Sequence, residues 1–470
     1  MSASRQVQGS MLRRVLTAWD ALTGKRSYDA AGGAPRWSPR ASIKAPLAET
    51  ETARIPVAAR ARYAAANDPH AHAAIEAIAA NVAGPQGIRP QSAHPDPETA
   101  QRINQSFEAW ATGDLDGAGG NFAALQGAAV RSMVRHGEAF LHFVTNERGA
   151  LALRPLGVDQ VDPSISRDLG AFRVIAGLEM DASGTVVAFH ALTEPPDQVL
   201  GYRREIRRLP AEDVAHLMRP LYPGQARGLS WLTPALLAIS DHNATRDALV
   251  MQAKTQALLG AFLHSADGTA GSFAGSADSE TLNVELTPGG MHLLPPGFDV
   301  KFLIPNGGTA SVQELLRAEL RAIAAGIGVT YEQLSGDLSG VNYSSIRAGL
   351  VEFRRRVEMW QRQLLIPRLV RPVWRRWVTT EILAGRLDAP GFEADPEAWL
   401  GATFIKPAVP WVDPLKEIAA ERDAVEAGFK SRREVIAGRG RDLEQVDAER
   451  AREPAVTAPR ATAFEEADND

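Results

Sequence analysis

The sequence predicts an α+β protein, and three observations carry that prediction. Helix-period apolar patterns fill the chain just after residue 60, short alternating runs separated by turn residues follow them, and further on two helical stretches flank a β-rich excursion. The 470 residues are 45% hydrophobic and 23% charged, enough for two to four domains with buried cores. The chain has no cysteine, which removes disulfides, thiolate metal sites and a cysteine nucleophile together and fits a reducing compartment. A net charge of -5 argues against a protein that coats nucleic acid indiscriminately. The N-terminus MSASRQVQGSMLRRVLTAWDALTG lacks a long apolar segment, and no run reaches the roughly 18 apolar residues of a membrane span. A soluble, cytoplasmic chain is expected.

Residues 1–60 are rich in Gly, Pro and Ser with scattered Arg, the composition of an extended arm with at most one short helix, LRRVLTAWDAL. From Ile55 the pattern becomes helical, AARARYAAANDPHAHAAIEAIAANVAG, with Asn67-Asp68-Pro69 supplying an N-cap and an N1 proline and Gly84 closing it. PETAQRINQSFEAWA and NFAALQGAAVRSMVRHG predict two more helices. EAFLHFVTN, LALRPLGVDQV, RVIAGLEMD, TVVAFHALT and DVAHLMR then read as strands of one antiparallel sheet. SDHNATRDALVMQAKTQALLGAFLH is a helix of about 20 residues. Ser265 to Val300 has no Lys or Arg, and its Gly, Ser and Thr with short apolar runs make a small β-rich unit. SVQELLRAELRAIAAGIG returns as a second helix.

The polar loop SGDLSGVNYSSIRAG leads into the longest helix. Ile346, Leu350, Phe353, Val357, Trp360 and Leu364 recur at spacings of four and three, one apolar stripe, while Arg347, Arg354, Arg355, Arg356 and Arg362 occupy other faces. Pro367 and Pro372 predict a kink or break near IPRLVRPVW. GFEADPEAWL, VDPLKEIAAERDAVEAG and SRREVIAGRG are shorter helices, the last two stopped by Gly428 and Gly438, and the acidic tail EPAVTAPRATAFEEADND has the composition of disorder.

Catalytic and binding motifs do not emerge. TGKRS at 23–27 lacks the glycine spacing of a phosphate loop, and no HExxH, GxSxG or Ser-x-x-Lys occurs. His70 and His72 are two apart, on different faces of a helix. GDLDGAGG resembles a calcium loop but has Ala118 and Leu125 where ligands belong. Ser344 and Ser345 have no local base, so one of them caps the following helix at roughly 1 kcal/mol rather than acting as a nucleophile. For the arginine-dense helix two readings stand. It is either a solvated face, or a surface whose arginines meet carboxylates such as those of EIAAERDAVEAG while Trp360, Trp374 and Trp377 pack on a partner subunit.

Four blocks, NDPHAHAAIEAIAANVAGPQGIRPQS, GQARGLSWLTPALLAISDHNATRDALVMQAK, GIGVTYEQLSGDLSGVNYSSIRAGLVEFRRRVEMWQ and DPLKEIAAERDAVEAGFKSRREVIAGRGRDLEQVDAER, together resemble bacteriophage portal proteins of the lambda type. The resemblance runs from about residue 60 to 453 and leaves out the arm and the tail. It implies a portal fold assembling into a dodecameric ring at one capsid vertex, through which double-stranded DNA is packaged and ejected. On this chain it implies an arm at 1–60, an α+β wing at 61–240, stem helices at 241–264 and 311–328 with a clip at 265–306 between them, a tunnel loop at 330–342, a long kinked wing helix at 343–385, a helical crown at 386–453 and a tail at 454–470. The loop residues implied to face DNA are Glu332, Asp337, Leu338, Ser339, Gly340, Val341 and Asn342. Asp278, Glu280 and Glu285 are implied clip contacts for the large terminase subunit and, later, the head-completion or tail-connector protein. Arg347, Phe353, Arg354, Val357 and Trp360 are implied to form the subunit interface. The major capsid protein is a further implied partner, the virion and the host cytoplasm during assembly are the implied locations, and no catalytic residue, cofactor, metal or membrane is implied, since ATP hydrolysis belongs to the terminase.

Charge fits that picture. Each phosphate neutralised by Lys or Arg adds affinity, so a channel wall must avoid bases. The clip segment carries Asp267, Asp278, Glu280, Glu285 and Asp299, and the loop Glu332 and Asp337, all without a base. Two rivals remain open: a DNA-binding adaptor, and a hydrolase built from dispersed residues.

Overall fold

The computed structural model describes residues 43–199, 201, 203–258, 262–263, 292–293, 309–339, 343–409 and 413–452. Among the described residues, those up to Ala53 fall in one unit and those from Arg54 onward in another. The first described helix, α1 (Pro46–Asn67), begins inside the expected arm, so the extended reading fails from Pro46 on. The reason is local: the Glu49 carboxylate accepts from the Lys44 and Ala45 amides at 2.8 and 2.9 Å and caps the first turn, and the alanine-rich stretch outweighs Pro56. LRRVLTAWDAL and the tail lie outside the described residues.

Helices α2 (Pro69–Val82), α3 (Pro97–Ala111) and α4 (Phe122–His136) start where their caps dictate. Asp68, Asp96 and Asn121 each accept from the amide three residues on, at 2.6, 2.9 and 2.9 Å. Gly137 ends α4 at φ +97°, and the backbone of Gly228 and Leu229 crosses it so closely that no Cβ fits.

The expected single sheet is two. One is three-stranded, in the order β3 (Leu151–Leu156), β2 (Glu138–Thr145), β9 (Val214–Met218), all antiparallel. The other joins β4 (Arg167–Asp168), β5 (Arg173–Ile175), β6 (Leu178–Met180), β7 (Val186–Leu192) and β8 (Ile206–Pro210) as a meander. RVIAGLEMD is a hairpin rather than one strand. Ala176 and Gly177 sit at φ +48° and +84° between the paired Ile175 and Leu178, the positive-φ turn a two-residue hairpin requires. Alternation along β2 explains why two sheets form. Leu141 and Phe143 enter the main core with Leu153 and Leu217, whereas Phe140 and Val214 enter a second cluster with Val161, Leu178, Phe189 and Leu209.

A buried ionic joint holds these layers together. Glu138 accepts from Arg227 Nε at 2.8 Å and from the Gly228 amide at 3.0 Å, and Arg54 lies 3.9 Å away. Arg227 spends its other donors on the carbonyls of Val158, Val161 and Ala176 in the turns around the second sheet. Both side chains are fully buried.

Beyond the sheets, α5 (Leu236–Leu258) begins five residues before the predicted Asp241, and Phe262–Leu263 is not helical but a short strand, β10, parallel to β11 (His292–Leu293). The remainder of the β-rich excursion, with Asp278, Glu280 and Glu285, lies outside the described residues. Helix α6 (Thr309–Ile327) ends at Gly328, φ +99°. After α7 (Tyr331–Ser335), α8 begins at Tyr343 and runs to Trp360, so Ser344 and Ser345 lie in its first turn. In place of a sharp break at the prolines, Gln361–Val370 widens into π-helical turns around Pro367. The α register resumes in α9 (Arg371–Leu383), whose first turn holds Pro372; the helix is continuous there, so the missing N–H leaves a carbonyl one turn back without its backbone donor.

After α10 (Pro396–Leu400) comes a strand the sequence did not announce, β12 (Ala402–Ile405), antiparallel to β1 (Arg89–Ser92). The helices α11 (Pro414–Glu426), α12 (Arg432–Gly438) and α13 (Leu443–Arg452) close the described chain, with no buried residue on any of them. Gly428 at φ +75° follows α11 as expected, but Gly438 is the last residue of α12 and the left-handed stop is Gly440 at φ +70°.

Candidate functional site

The predicted loop is assembled from α2, α5, α6 and α7. His242 on α5 is 4% exposed and its Nδ1 lies 3.1 Å from the Glu319 carboxylate on α6, which joins the two long helices. Asn243, next along α5, donates to the Asp68 cap of α2 at 2.8 Å. On α2 the His70 ring meets the His242 ring edge-on at 5.5 Å, and its Nδ1 lies 3.3 Å from the Leu334 carbonyl of α7. The base of the loop is therefore tied to both long helices through two histidine rings.

Helix α7 has its own signals. Thr330 and Gln333 form a reciprocal capping box, Leu334 is buried, and Gly336 turns the chain at φ +69°. Asp337 follows, and it is engaged on all sides. Its carboxylate accepts from Tyr331 Oη at 2.9 Å and from the Ser339 amide at 2.9 Å, and Arg317 Nη2 of α6 approaches to 3.6 Å. The Ser339 hydroxyl and amide, then Tyr331 and last Arg317, hold the carboxyl down at about 2. The loop is thus not a base-free acidic strip: a base twenty residues earlier in sequence lies against Asp337. What remains outermost is Leu338, 65% exposed, and Ser339. Glu332 is half-buried on α7, and Gly340, Val341 and Asn342 lie outside the described residues.

The predicted interface helix divides. Phe353, Val357 and Trp360 are buried in the chain's own core, with Trp360 against Trp231 at 5.0 Å, so this part of the stripe is turned inward. Trp374 and Trp377 are fully buried beside Phe107 at 5.1 and 5.0 Å, which decides against the reading in which they pack on a neighbour. On the outer faces, Arg355 pairs with Glu352 at 2.8 Å, and Glu358 accepts from Arg362 at 3.0 Å and Lys406 at 2.7 Å. Arg347 is exposed and near enough to Asp413, the cap of α11, to help its Lys416 contacts keep that carboxyl ionised. Arg354 is half-buried and neighbours Arg439, which also feels Glu421 and Glu417. Of the carboxylates foreseen in EIAAERDAVEAG, Glu417 and Glu421 thus lie near Arg439 within one chain.

Asp114 and Asp116 in GDLDGAGG accept from the amides of Gly117, Ala118 and Gly120, which makes that stretch a turn. Among the described residues no group of three His, Asp or Glu converges as metal ligands, and no helix is long and apolar enough to cross a membrane.

The family model for lambda-family phage portal proteins matches residues 35–361, which takes in the paired helices, the loop and α8. The chain belongs to the lambda family of phage portal proteins. Relatives of this portal protein are similar over different lengths. A probable portal protein of Halomonas phage phiHAP-1 is 26% identical over 407 residues, 82% of this chain and 77% of that one. Portal protein B of Escherichia phage lambda is 30% identical over 139 residues, 28% of this chain and 26% of that one. Among solved structures, a chain from the virion of a native gene transfer agent particle is 18% identical with a TM-score of 0.41, covering 83% of this chain and 98% of the other. A chain from the neck of the native particle computed with C12 symmetry is 19% identical with a TM-score of 0.40, covering 87% and 96%.

Proposed function

We propose that this portal protein is the subunit of a dodecameric ring at one capsid vertex, and that double-stranded DNA enters and leaves the capsid through the ring. The observation that carries this reading is the family match across residues 35–361, within which the tied helix pair α5 and α6 leads directly into the clasped loop. The ring is a passive conduit with no catalytic residue; the large terminase subunit supplies the energy, docks on 265–306 with Asp278, Glu280 and Glu285 in contact, and later gives way to a head-completion or tail-connector protein. The major capsid protein surrounds the ring, which is built in the host cytoplasm and remains in the virion.

Residues 330–342 face the DNA. With Asp337 occupied by Tyr331, Ser339 and Arg317, the outermost described residues of the loop are an exposed leucine and a serine. Such a surface touches the duplex without neutralising phosphate and so without holding it. On α8 the contribution to the subunit interface falls to Arg347 and its exposed neighbours, since Phe353, Val357 and Trp360 are in the core.

The test is Leu338→Arg in an in vitro packaging reaction. Twelve added guanidiniums at one level of a dodecameric channel slow DNA translocation, more at low salt than at high. A rate equal to that of the unaltered protein at every salt concentration places the loop away from the DNA.

A further inference from the structure

Three arginines from β3, β8 and α9 lie around His142 of β2. His142 on β2 stands opposite Arg154 on β3 and opposite Val214 on β9. Asp213, just before Val214, accepts from Arg376 Nη2 of α9 at 2.6 Å. Arg207 is on β8, the strand that leads through the Ala211–Asp213 turn into β9. His142 feels them all: burial first, and then Arg154, Arg207 and Arg376 against the opposing pull of Asp213, keep its ring neutral.

The one carboxylate in the cluster is already taken by Arg376. Arg154 and Arg207 are exposed, and among the described residues neither has an ion pair. The six paired positions of the β2–β3 hairpin hold Arg154 on a regular ladder. Guanidiniums carried around one side chain by separate elements suit a tetrahedral oxyanion, which accepts from several directions, better than a planar carboxylate.

We propose that His142, Arg154, Arg207 and Arg376 form a phosphate-binding shelf that takes the backbone of duplex DNA. The shelf retains what it touches, so it is no part of a channel wall, and its role is to hold a stretch of duplex against the sheet layer. The choice of DNA as the source of phosphate rests on the portal reading; the oxyanion chemistry does not.

The experiment uses the full-length protein and a labelled duplex of about 20 base pairs, with affinity read by anisotropy as salt is raised from roughly 50 to 200 mM. The double variant Arg154→Ser/Arg207→Ser is expected to lower the slope of log affinity against log salt by about 1 for each arginine removed. An unchanged slope overturns the proposal. So does polyglutamate binding to the unaltered protein with the same sensitivity to the double substitution, which marks an acidic-protein surface. Displacement of the duplex by inorganic phosphate at an equal concentration of phosphate groups overturns the assignment to a DNA backbone. Electron microscopy of the same double variant keeps the two readings apart, because an intact ring with no change in DNA binding sinks the shelf and leaves the portal function standing.

Discussion

Replacing Glu138 with Gln keeps the shape of the side chain and removes its charge from the most buried ionic site among the described residues. Arg227 and Arg54, 0% and 2% exposed, then lose the Glu138 charge from a site closed to water. Breaking a buried pair from one side costs about 3–5 kcal/mol. Titration gives a similar figure by another route. Burial opposes ionisation of Glu138, but Arg227, the hydrogen bond from His216 at 3.0 Å and Arg54 outweigh it and lower the carboxyl from 4.5 to about 2. His216 is itself held neutral, chiefly by burial, so it contributes here as a donor more than as a charge. A depressed folded-state value stabilises the fold above pH 4.5, and that stability is lost as pH falls from 4.5 towards 2. At 1.36 kcal/mol per unit the loss comes to about 3 kcal/mol. Urea unfolding followed by circular dichroism, at neutral pH and across that acid range, reads both quantities. Glu76→Gln is the control, because the Arg131–Glu76 pair at 2.7 Å is about 40% exposed at each end and contributes under about 1 kcal/mol. Equal losses for the two variants, or an acid dependence in Glu138→Gln as steep as in the unaltered protein, refute the buried-joint account.

Trp360→Ala removes a core ring and is expected to cost about 3–5 kcal/mol in the unassembled subunit; a loss seen only in assembly, with subunit stability unchanged, returns this side chain to the interface. Asp337→Ala removes the acceptor and releases the clasp, so hydrogen exchange at the Ser339 amide accelerates at neutral pH, whereas the unaltered protein keeps its protection down to about pH 3 because the carboxyl stays ionised to about 2. Equal exchange rates in the two proteins contradict the clasp.

Legibility followed the range of the interactions. Helices with caps in the adjacent residues were readable to the residue, as with Asp96 before Pro97 and Asn121 before Phe122, because the signal and the element lie within one turn. The bounds of α5 and α6 were readable within about six residues. Pairings over long separations were not. Nothing in RPQS or ATFI announces that Arg89 pairs with Ile405, and nothing local to GQARG places Arg227 against Glu138. The apolar stripe of α8 was identified correctly, but period alone does not say whether the covering surface belongs to the same chain or to a neighbour. The loop showed the same limit. Counting bases within 330–342 missed Arg317, whose side chain arrives from one helix earlier.

The central claim is tested most directly by electron microscopy of the purified full-length protein together with its mass. The account predicts closed rings with a central channel wide enough for a DNA duplex and a mass near twelve subunits. A stable monomer under assembly conditions, or a closed particle without a channel, contradicts it.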